Sequence, residues 1–293
     1  MNRELPALFR LLMVMLAIMV LPTVALSEDA PYRKMENIRY AESPGTDPDL
    51  QSLDVYYHTP KHKSPVIIYI HGGGWAFGDK ADVYHKPDFF LKQGIAFISM
   101  NYRLRWDYQL IDQAEDVVSV IDWARTNADK YGFDPEKLIL MGHGAGAHLA
   151  ALVATDPSYL SFRQLYPGDI SAVVAIDTLS FDIPRVMHEL GNFLERRQHE
   201  LIFGKDESAW LAASPIHHVA VGKALPGFAL LYVADNEATM LQARAFAKKL
   251  SSASADAIMI PGNDKTTDSI DMDLGKEDDN TSRALMTFLK AKI

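Results

Sequence analysis

The 293-residue chain contains no cysteine. That absence removes disulfides, thiolate zinc sites, iron–sulfur clusters and any cysteine nucleophile at once. Positive charge is also short: 29 Lys and Arg stand against 38 Asp and Glu, a formal net charge of −9. The balance argues against a nucleic-acid backbone as partner, because phosphate binding requires clustered cations. Glycine and proline are not in excess, and 48% of residues are apolar with aromatics well represented. Collagen-like, low-complexity and disordered classes fall on that composition, and the length suits one large domain with an ample core. No metal-ligand spacing is present. Asp264, Asp268, Asp271, Asp273, Glu277, Asp278 and Asp279 lack the order of a calcium loop and read as a solvated acidic face.

Only one long apolar run occurs, at the very start. Arg3 and Arg10 precede or open an uninterrupted stretch from Leu11 to Leu21, and Ala25-Leu26-Ser27 places small residues two apart. The run meets Pro22 and Thr23 before reaching the roughly 20 residues of a membrane span, so residues 1–27 are expected to be an export signal cleaved before Glu28. Loss of Arg3, Glu4 and Arg10 moves the charge to −10. A cysteine-free acidic chain of this kind is expected to be periplasmic or secreted, with no transmembrane span in the mature form.

From Glu28 onward short β-rich runs alternate with longer helical ones. The expected strands are Ser52–Tyr57, Val66–Ile70, Ile95–Met100, Leu138–Met141, Ala172–Ile176, Ala229–Val233 and Ala257–Ile260. The expected helices are Tyr108–Tyr131, Ala145–Thr155, Thr239–Ser251 and Thr281–Lys290. Strands that are continuous apolar runs are buried on both faces, which implies a mostly parallel central sheet flanked by helices in one domain, 28–293. The stretch 180–213 breaks the rhythm and is expected to be a short helical cap insertion.

Two glycine-rich turns carry the chemistry. His71-Gly72-Gly73-Gly74-Trp75 follows the strand Val66–Ile70, and its glycines let backbone N–H groups approach a ligand closely. The second runs from the strand Leu138–Met141 through Gly142-His143-Gly144-Ala145-Gly146 into a small-residue helix. With Asn101-Tyr102-Arg103-Leu104 and Tyr131-Gly132-Phe133-Asp134-Pro135, these motifs resemble the α/β-hydrolase superfamily. The branch they are most similar to holds carboxylesterases, hormone-sensitive-lipase-like esterases and kynurenine-formamidase-like enzymes. The resemblance covers the chain from about Gln51 to the C-terminus.

The resemblance implies a Gly-x-Ser-x-Gly elbow. Gly144 stands at the serine's position, and no Gly-x-Ser-x-Gly or Ser-x-x-Lys occurs elsewhere. It also implies a histidine after the last strand, yet no histidine follows His218. Alignment backwards from Asp273-Leu274-Gly275 puts Thr267 at that position, and threonine cannot accept a proton near neutral pH. Asp235, with Glu237 as second candidate, remains as the acid. Among other histidines, His143 and His148 lie five apart and face different sides of a helix, His71 orders the glycine turn, and His217 and His218 read as structural.

The resemblance thus implies a pseudoenzyme that needs no cofactor and binds an acyl, ester or aromatic small molecule. The donors would be the N–H groups of Gly73, Gly74 and Ala145, with Trp75, Phe77, Tyr102, Trp106 and Phe181 as candidate walls. Two alternatives stay open: an ester or amide hydrolase with a non-standard nucleophile, and a scaffold that acts through protein contacts.

Overall fold

A computed structural model describes residues 32–59, 63–189 and 193–293. The expected export segment, 1–27, lies outside the described residues. Alternation along each strand builds the core. Val66, Ile68 and Ile70 point to one side of the sheet and join one apolar cluster, while Ile67 and Tyr69 point to the other and join a second. A sheet buried this way on both faces must be covered by helices, and the chain supplies them in order.

The strands are β1 (Arg33–Arg39), β2 (Ser52–Tyr57), β3 (Ser64–Ile70), β4 (Ala96–Met100), β5 (Phe133–His143), β6 (Ala172–Ile176), β7 (Gly227–Val233) and β8 (Ala257–Gly262). Between β3 and β5 lie α1 (Lys86–Lys92), α2 (Leu110–Thr126) and α3 (Ala128–Tyr131). After β5 come α4 (Ala145–Thr155) and α5 (Pro157–Ser161). Four short helices separate β6 from β7, namely α6 (Ile183–Glu189), α7 (Phe193–Phe203), α8 (Glu207–Ala212) and α9 (Pro215–His218). The first three fall within 180–213, and α9 follows it. The chain closes with α10 (Glu237–Ser252), α11 (Thr267–Met272) and α12 (Asn280–Leu289).

The eight strands form one sheet in the order β1-β2-β4-β3-β5-β6-β7-β8. β2 pairs antiparallel with β1 and β4, and every pairing from β4 to β8 is parallel. The cluster on one face takes its helical partners from α2, α4 and α10, and the other from α1, α11 and α12. No helix among the described residues is long and apolar enough to cross a membrane.

Several elements differ from the expectation, among them the short helices α1 and α5, which no expected helix covers. β1 was not foreseen, because its residues are almost all exposed and include four charged ones, Arg33, Lys34, Glu36 and Arg39. The expected helix Tyr108–Tyr131 is interrupted at Asn127, and its second part stops at Gly132, which adopts φ 73°. The segment after β8 that carries Thr267, outside every expected helix, folds into α11, capped by Thr266, whose side chain accepts from Ser269 N.

Candidate active site and its surroundings

The turn after β3 is held from beneath. His71 is buried and stacks on Tyr102, ring centroids 4.3 Å apart. Its Nδ1 lies 2.7 Å from Gly72 O, and Tyr102 Oη donates to His71 O at 3.1 Å. Burial pushes the imidazole's pKa down, so His71 is neutral and orders the turn through hydrogen bonds alone. Gly73 and Gly74 adopt φ 107° and 59°, values open to glycine, and a Cβ on Gly73 would meet Phe77 O at 2.1 Å. Gly73 O accepts from Ala76 N and Phe77 N. Among the described residues, the N–H groups of Gly73 and Gly74 have no acceptor.

The next residue links three parts of the site. Trp75 O accepts from Arg105 N (2.8 Å) and from Gln113 Nε2 (2.9 Å). Its indole N–H donates to His148 Nδ1 at 3.3 Å, while His148 Nε2 lies 2.8 Å from Ala213 O. His148 therefore carries its proton on Nε2, where it donates to Ala213 O. Burial pushes its pKa down to about 4. It ties α4 to the glycine turn and to the residue that closes α8.

The elbow follows β5. Gly144 adopts φ 52° and ψ −109° at the N-terminus of α4, and its N–H donates to Ile176 O at 2.9 Å. The flanking glycines are there for packing. A Cβ on Gly142 would sit 2.3 Å from Gly146 C, and one on Gly146 would sit 2.0 Å from Ile70 O. A Cβ on Gly144 would meet nothing within 4 Å. Space for a side chain exists there, and the residue supplies none. The N–H of Ala145, first residue of α4, also lacks a partner among the described residues and lies where the helix dipole favours negative charge.

The remaining expected residues disperse. Asp235 is exposed in the turn after β7, and its carboxylate makes no hydrogen bond among the described residues. Thr267 is the exposed first residue of α11. Its neighbour Asp268 lines a cavity of about 350 Å³ together with Gly72, Gly73, His143, Tyr84 and Asp271. So α11 is brought alongside the glycine turn, while no interaction joins Thr267 to Asp235. Gly73, Gly74 and Trp75 line a second cavity of about 190 Å³ with Phe77, Arg105 and Ile202. Phe77 and Trp106 are 64% and 59% exposed and meet edge-on at 5.7 Å beside it. Two candidate walls are corrected. Tyr102 is fully buried because it props His71, and Phe181 is buried against Phe246, centroids 4.4 Å apart.

Three features carried no signal strong enough in the sequence. Asp177, just after β6, has φ 43° and is buried; its Oδ1 accepts from Val233 N at 3.1 Å, while Oδ2 has no partner. His143, between two elbow glycines, has a buried Nε2 without a partner. Lys86 is fully buried with Nζ 2.9 Å from Asp271 Oδ1, and Tyr69 Oη donates to the same carboxylate. A lone acid after a strand, or a lysine in a helix, is ordinary until the fold shows what surrounds it.

Chemically, the arrangement presents aligned N–H donors suited to a carbonyl or carboxylate oxygen. Beside them stand an elbow without a nucleophile and neutral imidazoles engaged with backbone and indole groups.

Comparison with known proteins agrees with this architecture. The BD-FAE family model matches residues 53–250. Esterase LipC of Mycobacterium tuberculosis is 30% identical over 266 residues, covering 84% of this chain and 63% of its own length. Esterase LipQ of the same organism is 32% identical, covering 67% and 48% respectively. The chain thus spans about half to just under two thirds of these relatives. Among solved structures, esterase B from Lactobacillus Rhamnosis superposes with a TM-score of 0.73 at 22% identity, covering 89% of this chain and 86% of its own. A truncated carbohydrate esterase from gut microbiota gives 0.73 at 23%, covering 90% and 98%. With its strand order, its elbow and a family match across most of its length, the chain belongs to the BD-FAE family and is a carboxylesterase-like protein of α/β-hydrolase fold.

Proposed function

We propose that this chain is an exported, non-catalytic member of its family that uses the remnant of an esterase site to bind a small acyl, ester or aromatic molecule. The observation that carries the reading is Gly144. An elbow with room for a side chain ends in a hydrogen atom, and without an oxygen there no acyl-enzyme can form at that position. Thr267 in place of a histidine supports it independently, since the proton acceptor is lost along with the nucleophile. Among the described residues, the rings of His71, His143 and His148 make no hydrogen bond to a hydroxyl, which supports the reading for these three imidazoles. In serine hydrolases, loss of the whole triad costs on the order of 10⁶ in turnover. The N–H groups of Gly73, Gly74 and Ala145 remain free to hold an oxygen of a ligand. Export rests on the basic, apolar and small-residue order of residues 1–27.

One measurement tests both parts. Intact mass of the exported protein after treatment with a fluorophosphonate should begin at Glu28 and carry no adduct. A stable phosphonyl adduct would overturn the non-catalytic reading, and a retained leader would overturn cleavage.

A further inference from the structure

The cavity beside the glycine turn shares Arg105 and Ile202 with a larger groove of about 780 Å³. That groove runs between the start of α2, with Leu110 and Gln113, and the α7–α8 segment, with Phe203 and Ala209. Arg105 stands where the two meet. Its backbone N–H is fixed to Trp75 O. Its guanidinium lies 4.2 Å from the Trp106 ring centroid, and Trp106 is itself pinned by an indole N–H donated to Ala76 O at 3.0 Å. This cation–π contact takes up none of the N–H donors of the guanidinium fork.

In a chain with nine excess negative charges, that fork has no counter-ion. Among the described residues, Arg105 makes no ion pair, and its guanidinium donates no hydrogen bond. The two acids in the groove do not serve it. Glu200 pairs with Arg196 and Arg197 at 3.6 and 3.4 Å, and the exposed Asp107 carboxylate makes no ion pair or hydrogen bond among the described residues. An oriented, partly buried arginine at a cavity junction is a fork shaped for a carboxylate. The groove beyond it is of mixed character, with an apolar strip of Leu110, Ile202, Phe203 and Ala209 along its length. On its floor Gln113 is fully buried and gives its N–H to Trp75 O, while its Oε1 has no partner. The volume falls within the ~300–1,000 Å³ of ordinary small-molecule sites.

We propose that the groove binds an apolar-bodied monocarboxylate whose carboxylate is held by Arg105 and whose body lies along Leu110, Ile202 and Phe203. This rests on the non-catalytic binding reading and deepens it: the ligand is a free acid, and the neutral ester is discriminated against because it leaves the guanidinium without a charge partner.

Calorimetric titration of the full chain with octanoate, methyl octanoate and octylammonium tests it. Octanoate binds saturably, the ester at least roughly tenfold more weakly, and the cation not at all. Arg105→Gln loses at least about tenfold for octanoate and keeps wild-type affinity for the ester, while Arg105→Lys falls between. Equal binding of acid and ester, an Arg105→Gln variant that binds octanoate as the wild type does, or no octanoate binding would each overturn the proposal. The methyl octanoate is recovered intact after titration; its hydrolysis would overturn the non-catalytic reading instead, leaving the Arg105 comparison to stand separately.

Discussion

Gly144 holds a backbone conformation that side chains rarely adopt, in a place where a side chain would fit. Conformations of this kind cost an L-residue about 1–3 kcal/mol, and glycine escapes most of that. Gly144→Ser is therefore expected to fold, to melt a few degrees lower by calorimetry, and, on the proposed reading of Thr267 as the lost base, to gain no ester turnover. A variant that hydrolyses ester at rates of ordinary enzymes would show that a base survives elsewhere. His148 supplies the pH dependence. Its pKa is about 4 when folded against about 6.5 when unfolded, so protons bind the unfolded chain more tightly. Its stabilising contribution is complete above pH 6.5, falls by about 1.4 kcal/mol per pH unit below that, and is lost by about pH 4. Denaturant melts of His148→Gln between pH 7 and 4 should show a shallower decline than the wild type; parallel curves would show that His148 does not titrate on unfolding.

At the scale of elements, α11 explains why the site looks as it does. The helix carries Asp268 to the glycine turn and is anchored by Asp271, which meets Lys86 of α1 and Tyr69 of β3. Burial pushes the Lys86 pKa below its ordinary value, and the Asp271 carboxylate offsets part of that. Removing one member of such a pair typically costs 3–5 kcal/mol, whereas replacing both with neutral groups costs far less. Lys86→Met is expected to lower the melting temperature by roughly 10 °C, and Lys86→Met with Asp271→Asn to recover most of it. Additive losses in the double variant would mean the two charges do not act as a pair. This ion pair is also why α11 was illegible in the sequence. The segment offers Ile270 and acids, and nothing local says that Asp271 will be buried by a lysine 185 positions earlier. β1 escaped notice for the opposite reason: an edge strand of charged residues has no apolar run, because exposed edges are kept polar to deter further pairing.

Across the whole molecule, legibility follows how local the cause is. The parallel strands announced themselves because each is buried on both faces and so is continuously apolar, and the elbow because Gly142 and Gly146 are forced by backbone contacts at 2.0 to 2.3 Å. Gly73 was readable for the same reason, and Gly74 for its φ of 59°, which favours glycine. The walls of the site were not: whether an aromatic residue lines a cavity or fills the core depends on partners far away, and Tyr102 found His71 while Phe181 found Phe246. Arg105 was equally silent, since its meaning lies in the absence of a partner once the chain has folded. The central claim is that this fold keeps the donors of an esterase and has given up its nucleophile and base. Initial rates of 4-methylumbelliferyl butyrate hydrolysis against protein concentration test it most directly. The account predicts a slope indistinguishable from buffer; turnover that rises in proportion to protein and disappears on substitution of Gly73 or Gly74 would contradict it.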